Sequence, residues 1–263
     1  MELIRICEQV ITIATETGRF ILGEQAKFTE ASVEEKGVHN LVSYVDKTAE
    51  EKLVAALSKI LPEAAFITEE ETVEQNADAE YKWIIDPLDG TTNFIHGLPC
   101  YAVSVALAKN DVPVLGVLYE VNRAECFYAW QGGGAFMNGK PIHVSTRAKL
   151  NDSLLVTGFP YYDYGKLDQY LELFKYMMKN ARGVRRLGSA ATDMAYVACG
   201  RFEGFYEYGL SPWDVAAGII IVQEAGGQIA DFSGGTNYLF GKEMVCSNGL
   251  IQQEMMEAVK RYF

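Results

Sequence analysis

The segment WIIDPLDGTTNF, Trp83 to Phe94, limits what this chain can fold into more than any other stretch. Its start, Trp83-Ile84-Ile85, has the aromatic and β-branched character of a buried strand. Two aspartates, Asp86 and Asp89, arrive where that strand ends, followed by Gly90 and two threonines. Asp-Gly is a hairpin signal, so a tight turn is the plain explanation. After Gly90, however, strand alternation does not resume, and Thr91, Thr92 and Asn93 read as the start of a short helix. A helix start offers N–H groups and a positive dipole end, a cradle for phosphate. Carboxylates beside such a cradle make sense when hard cations lie between them. One short stretch therefore holds both halves of a metal–phosphate site.

Around it the chain has two rhythms. Leu3, Cys7, Val10 and Ala14 fall at helical spacing and predict a first helix to about Lys27. HNLVSYVDKTAE passes from a short strand into a second helix, stopped by Pro62. AFITEE, YKWIID, YAVSVALAK, VPVLGVLYE and AECFYAW are β-rich, with turn signals at Asn110-Asp111 and Asn138-Gly139. The first part thus predicts helices on a mainly antiparallel sheet. From about residue 150, strands and helices alternate, which predicts a mostly parallel sheet with helices. The fold class expected is α+β to α/β, as a metal-binding α+β subdomain over 1–145 and an α/β subdomain over 146–263. The second would complete the site within one compact body.

Composition narrows the function. Hydrophobic residues make up 49% of the 263 residues, enough for a sizeable core. A formal net charge of -12 provides no basic footprint for nucleic acid and is repelled by anionic membranes. Five scattered cysteines without a CxxC pair suggest reduced thiols in a cytoplasmic protein. The N-terminal segment lacks a basic region and cleavage site, so it is expected to be a helix and not a leader. His39, His96 and His143 are too dispersed for a local zinc motif.

Each remaining acidic candidate has a structural explanation of its own. Glu69, Glu70 and Glu71 form a run that could be a solvated face, although Glu69 stands directly at a strand end, where α/β proteins build sites. Asp46 begins the second helix and reads as its N-cap. In SPWDVAAG, Ser211 reads as N-cap, Pro212 as N1 and Asp214 as the N3 residue of a capping box. Glu207 ends the strand FYEY. Their joint spacing carries more than any one of them.

That joint pattern resembles the inositol monophosphatase family, within the wider group of metal-dependent, lithium-sensitive sugar phosphatases. WIIDPLDGTTNF and WDVAAGIIIVQEAGG carry the match, with FITEEE, LVSYVD, GSAA and FYEYGLSPWD in the family's order between about Asp46 and Gly227. The resemblance implies an αβαβα sandwich, usually a homodimer. It also implies two or three Mg²⁺ ions per site. Glu69, Asp86 and the Leu88 carbonyl would hold the first, Asp86, Asp89 and Asp214 the second, and Glu69 a weaker third. Thr91 and Asp46 would polarise the attacking water, and the Gly90 and Thr91 amides would hold phosphate oxygens. Asp89, Ser189, Ala190, Glu207 and Asp214 would line the place of the alcohol moiety. Two departures stand out: Thr68 replaces a glycine of the family's GEES, and Pro212 stands where animal members often have cysteine. Both are expected near the substrate mouth.

The activity this implies is Mg²⁺-dependent hydrolysis of a small polyol monophosphate, myo-inositol 1-phosphate first. Fructose 1,6-bisphosphate, 3′-phosphoadenosine 5′-phosphate and histidinol phosphate are the alternatives. A bisphosphate needs a second anion site, for which Arg182, Arg185 and Arg186 are the dense basic group. Crowded carboxylates repel one another without metal, so cation binding is expected to tighten the loop holding Glu69 to Glu71.

Overall fold

The computed structural model describes residues 2–27, 33–37, 40–76, 78–160 and 163–263; His39 lies outside them. Helix α1 (Leu3–Gln25) is followed by a β1 (Val33–Gly37) and β2 (Asn40–Ser43) hairpin and by α2 (Tyr44–Ile60). Next come β3 (Ala65–Thr68), β4 (Tyr81–Asp89), the short α3 (Thr91–Ile95), β5 (Ala102–Lys109) and β6 (Val112–Glu120). Strands β7 (Glu125–Trp130), β8 (Gly134–Met137) and β9 (Lys140–Pro141) finish this part. The remainder runs β10 (Leu154–Thr157), α4 (Leu167–Asn180), β11 (Gly183–Arg185), α5 (Ala190–Ala198) and β12 (Gly204–Tyr208). It ends with α6 (Pro212–Glu224), β13 (Gln228–Ala230), β14 (Glu243–Ser247) and α7 (Gln252–Tyr262).

Strands β3 to β9 form a seven-stranded sheet in sequence order. Only the β3–β4 pair in it is parallel, as the hairpin signals predict. The second sheet has the order β11-β10-β12-β14-β13 and departs from the mostly parallel expectation. Its β10–β11 and β10–β12 pairs are parallel, but β12–β14 and β13–β14 are antiparallel. The reason is local: no helix separates β13 from β14, so nothing carries the chain back over the sheet, and a crossover is what parallel pairing requires.

The layers follow from which faces are apolar. Helices α1 and α2 cover one face of the large sheet through Val10, Ala14, Leu53 and Leu57, packed on Trp83, Val105 and Val117. Helix α6 is apolar all round, with every residue from Val215 to Val222 buried, as a helix between two sheets must be. With α5 it fills the space between the large sheet (Ile84, Ala106, Leu118) and the small one (Val156, Phe205, Cys246). Helices α4 and α7 close the outer face through Tyr170, Leu173, Met255 and Val259. The result is an αβαβα sandwich. A fully buried Ile or Val side chain contributes about 1.5–3 kcal/mol, so α6 is the helix whose loss the fold would tolerate least.

Candidate active site

Strand β4 does not run straight to its end. Asp86 pairs with Ser104 and Asp89 with Ala102, so three steps along β4 match two along β5. The extra residue is a β-bulge. In a regular strand, residues three apart point to opposite faces. Their partners here are two apart and share a face, so the bulge at Pro87-Leu88 turns both aspartates to one side. Asp86 then caps the kink, its Oδ1 accepting from the Leu88 N–H at 2.9 Å. Gly90 follows at φ 101°, a conformation glycine adopts without steric penalty, and the chain turns into α3. The side chain of Asn93 in α3 donates to the carbonyls of Cys100 (2.7 Å) and Leu187 (2.9 Å), tying this corner to the segment before α5.

Glu69 stands just past the end of β3, beside Asp86. Asp214 is the N3 residue of α6, and its Oδ2 accepts from the Ser211 N–H at 2.7 Å, as the SPWD segment predicts. Asp89 reaches across to the start of α5. Its Oδ2 accepts from Ser189 Oγ and from the Ala191 N–H, each at 2.7 Å. Ser189 is the N-cap of α5, so Asp89 adds an anion at the positive end of that helix. Asp46 needs a correction: Ser43 is the N-cap of α2, and Asp46 is the N3 residue of a capping box. Its Oδ2 accepts from the Ser43 N–H (2.9 Å) and Oγ (2.5 Å). Its Oδ1 lies 3.0 Å from Thr91 Oγ1, which is also 3.0 Å from the Leu88 carbonyl oxygen.

These groups meet in one cleft of about 480 Å³. Glu69, Asp86, Leu88, Asp89, Gly90, Thr91, Ser189, Ala190, Glu207 and Asp214 all line it. Asp46 stands behind Thr91. Glu71 is exposed, as a solvated face predicts. Of the basic group only Arg186 reaches the cleft. Arg182 is exposed, 3.7 Å from Asp152, and Arg185 donates to the neighbouring Val184 carbonyl at 3.1 Å. Thr68 is a second correction. It is fully buried at the back of the acidic loop, not at the mouth.

The electrostatics are those of crowded, largely buried anions, with Arg186 the basic side chain that reaches them. Burial, then the charge of Asp214, pushes Glu69 well above the carboxylate range. Burial, then Glu69, Asp89 and Asp214, does the same to Asp86. Burial raises Asp89 to about 6 against the opposing pull of Ser189 and the Ala191 amide. Burial and Asp89 raise Asp214 to about 7. Glu207 is raised by burial and Asp214, with Arg186 opposing.

Among the described residues, no three of these side chains form a ready-made coordination sphere. Instead Glu69 and Asp86 share a hydrogen bond. A buried set of hard oxygen donors held at such cost in repulsion is nonetheless the chemistry that Mg²⁺ satisfies.

Sequence reasoning missed two groups. Asp193 lines the cleft with its Oδ1 buried and unpartnered, one turn after Ser189, and that i, i+4 spacing was the available signal. Glu50 lies one turn after Asp46 and is fully buried.

A fold of five alternating layers with an acidic cleft at the end of a bulged strand has its counterpart among known phosphatases. The model of the inositol monophosphatase family matches residues 5–262. An inositol-1-monophosphatase of Mesorhizobium japonicum is 41% identical over 252 residues, covering 96% of this chain and 95% of that one. The Nus factor SuhB of Pseudomonas aeruginosa is 43% identical over 239 residues, covering 89% and 88%. The solved structure of inositol monophosphatase from Anabaena superposes with a TM-score of 0.88 at 34% identity, covering 100% of this chain and 98% of that one. The chain belongs to the inositol monophosphatase family. It is accordingly a phosphatase.

Proposed function

We propose that the protein hydrolyses a small polyol monophosphate, myo-inositol 1-phosphate, with Mg²⁺ as its cofactor. The observation that carries this is the bulge in β4. It turns Asp86 and Asp89 to one face, beside Glu69 and Asp214, while Ser189 and Glu207 line the same cleft. Glu69, Asp86 and the Leu88 carbonyl would hold one ion, Asp86, Asp89 and Asp214 a second, and Glu69 a third. Bound Mg²⁺ supplies charge neutralisation, acidifies a water and stabilises the leaving oxygen.

The chain's own residues do the rest. Thr91 Oγ1, anchored by donating to Asp46, would accept a hydrogen bond from the attacking water and so polarise it. Asp46 is held in turn by Ser43, so the pair is preorganised and not assembled at each turnover. The Gly90 and Thr91 amides, at the bend into α3, would hold the phosphoryl oxygens. Asp89, Ser189, Ala190, Glu207 and Asp214 would receive the hydroxyls of the alcohol. The carboxyl of Glu207 suits a neutral polyol and disfavours a second phosphate. The separation of Arg182 and Arg185 from the cleft supports the same preference over bisphosphates.

The homodimer and the lithium inhibition implied by the family belong to this reading. Sedimentation and assays in LiCl test them. A cytoplasmic location is part of the same reading, and cell fractionation tests it. Among the described residues, no helix is long and apolar enough to cross a membrane. The relative named as a Nus factor raises a role with transcription machinery. A net charge of -12 provides no basic footprint for nucleic acid and by itself repels phosphorylated molecules too, so the small phosphorylated substrate proposed here depends on bound cations to reverse the sign locally.

The experiment is phosphate release from a panel of inositol 1-phosphate, fructose 1,6-bisphosphate, 3′-phosphoadenosine 5′-phosphate and histidinol phosphate, with Mg²⁺ or EDTA. The highest kcat/KM is expected on inositol 1-phosphate and only with Mg²⁺. A bisphosphate turned over better, or turnover in EDTA, overturns the reading.

A further inference from the structure

One buried carboxyl braces the loop that presents Glu69 from behind. Glu50 is fully buried on α2, on the same face as Asp46 by its i, i+4 spacing. Its Oε1 accepts from Thr68 Oγ1 (2.9 Å), the Thr72 N–H (2.8 Å) and Thr72 Oγ1 (2.8 Å). Its Oε2 accepts from the Glu70 N–H (2.7 Å). Four bonds from a single carboxyl thus clasp the segment from the residue before Glu69 to the third residue after it.

The backbone between those donors is bent to suit. Glu71 has φ 53°, the left-handed region that residues other than glycine seldom occupy. That bend lies between the Glu70 and Thr72 amides, which both end on Glu50. Such a conformation persists where the surroundings over-determine it, and Glu50 supplies that surrounding. Thr68, the residue that replaces a glycine of the family pattern, adds a lock. Its hydroxyl donates to Glu50 and accepts from Gln75 Nε2 (3.0 Å), and its N–H donates to Gln75 Oε1 (2.7 Å). A glycine there would supply no hydroxyl.

We propose that Glu50 is a positioning residue for the metal centre. It fixes residues 68–72 so that Glu69 stands in the cleft before any cation arrives. Asp46 and Glu50 then make α2 a single rail, one carboxyl orienting Thr91 and the next orienting the Glu69 loop. This rests on the reading of the cleft as a Mg²⁺ site. Groups that orient ligands from behind typically change metal affinity or activity by about 10–100-fold when removed.

The test is Glu50→Gln in the full-length protein. The amide sets an NH₂ group against one of the loop's donors, so at least one bond is lost. In metal-free protein, hydrogen exchange at the Glu70 and Thr72 amides is expected to quicken by about tenfold or more, while Leu53 and Leu57 on the same helix keep their rates. Calorimetry with Mg²⁺ is expected to show a Kd about 10–100-fold weaker, with kcat restored to within about threefold at saturating Mg²⁺. A general loss of stability would instead quicken exchange everywhere and leave Mg²⁺ affinity in place.

Unchanged exchange at the two loop amides, or a Mg²⁺ Kd within about twofold of the wild type, overturns the proposal. Absence of Mg²⁺ binding by the wild type overturns the reading beneath it, a separate result. Should Glu50→Gln fail to fold, Thr72→Val, at an exposed position, decides. The Glu70 amide should then exchange about threefold faster, and no change overturns the proposal.

Discussion

Replacing Asp89 with asparagine should abolish activity and yet stabilise the metal-free protein, by an amount that depends on pH. Asparagine can keep the cap on α5, because one acceptor oxygen serves Ser189 Oγ and the Ala191 N–H as the carboxylate does. What it removes is a buried charge. The carboxyl of Asp89 is raised from 3.8 to about 6 on folding. A carboxyl so raised binds more protons in the folded state, so the wild type is most stable below the unfolded value. It loses that stability as pH climbs through about 6. Linkage puts the loss below about 1 kcal/mol at pH 4 and at about 3 kcal/mol at pH 8. For a domain of this size about 3 kcal/mol corresponds to roughly 6–12 °C in Tm. Thermal melts in EDTA should therefore show Asp89→Asn well above wild type at pH 8 and within about 2 °C of it at pH 4. Equal gains at both pH values, or no gain at pH 8, would refute the claim that burial loads this carboxyl.

Three further outcomes are expected. Asp46→Asn keeps an acceptor for the cap of α2 but weakens the anchor of Thr91, so kcat should fall by about 10²–10⁴ with Tm nearly unchanged; a kcat within threefold of wild type removes Asp46 from the mechanism. At Gly158 an added Cβ would stand 2.0 Å from Glu207 Oε1 and 2.1 Å from its Cδ, so Gly158→Ala should swing Glu207 aside. KM for the polyol phosphate should then rise by about tenfold, with little change for a phosphate ester that has no hydroxyls; equal effects on both would deny Glu207 its contact. Adding Mg²⁺ at pH 8 should raise the wild-type Tm by several degrees through binding to the folded state alone, and a scan with no shift would speak against the site.

The fold was legible where short-range signals coincide with long-range need. Asn110-Asp111 and Asn138-Gly139 both close hairpins, with each of these residues at positive φ, and SPWD reads directly as a capped helix start. Asp46 is the N3 residue and not the N-cap that its place at the helix start suggests; Ser43, three residues earlier, is the capping-box signal. The bulge in β4 was hidden because register is a property of two strands, and nothing in Asp86-Pro87-Leu88-Asp89 alone says that β5 will oppose three steps with two. The same limit hid Glu50. Its partners lie 18 to 22 residues away, in a loop whose bend at Glu71 only tertiary packing decides. The parallel expectation for the second sheet failed at β13 and β14, where alternation of strand and helix stops.

Calorimetric titration of inorganic phosphate, with Mg²⁺ and then with EDTA, probes the cleft most directly. If the carboxyls of Glu69, Asp86, Asp89 and Asp214 take up divalent cations that turn the cleft toward anions, phosphate should bind measurably with Mg²⁺ and fail to bind in EDTA, and Asp214→Asn should reduce the contrast by about tenfold or more. Phosphate binding of equal strength in both buffers would contradict the account.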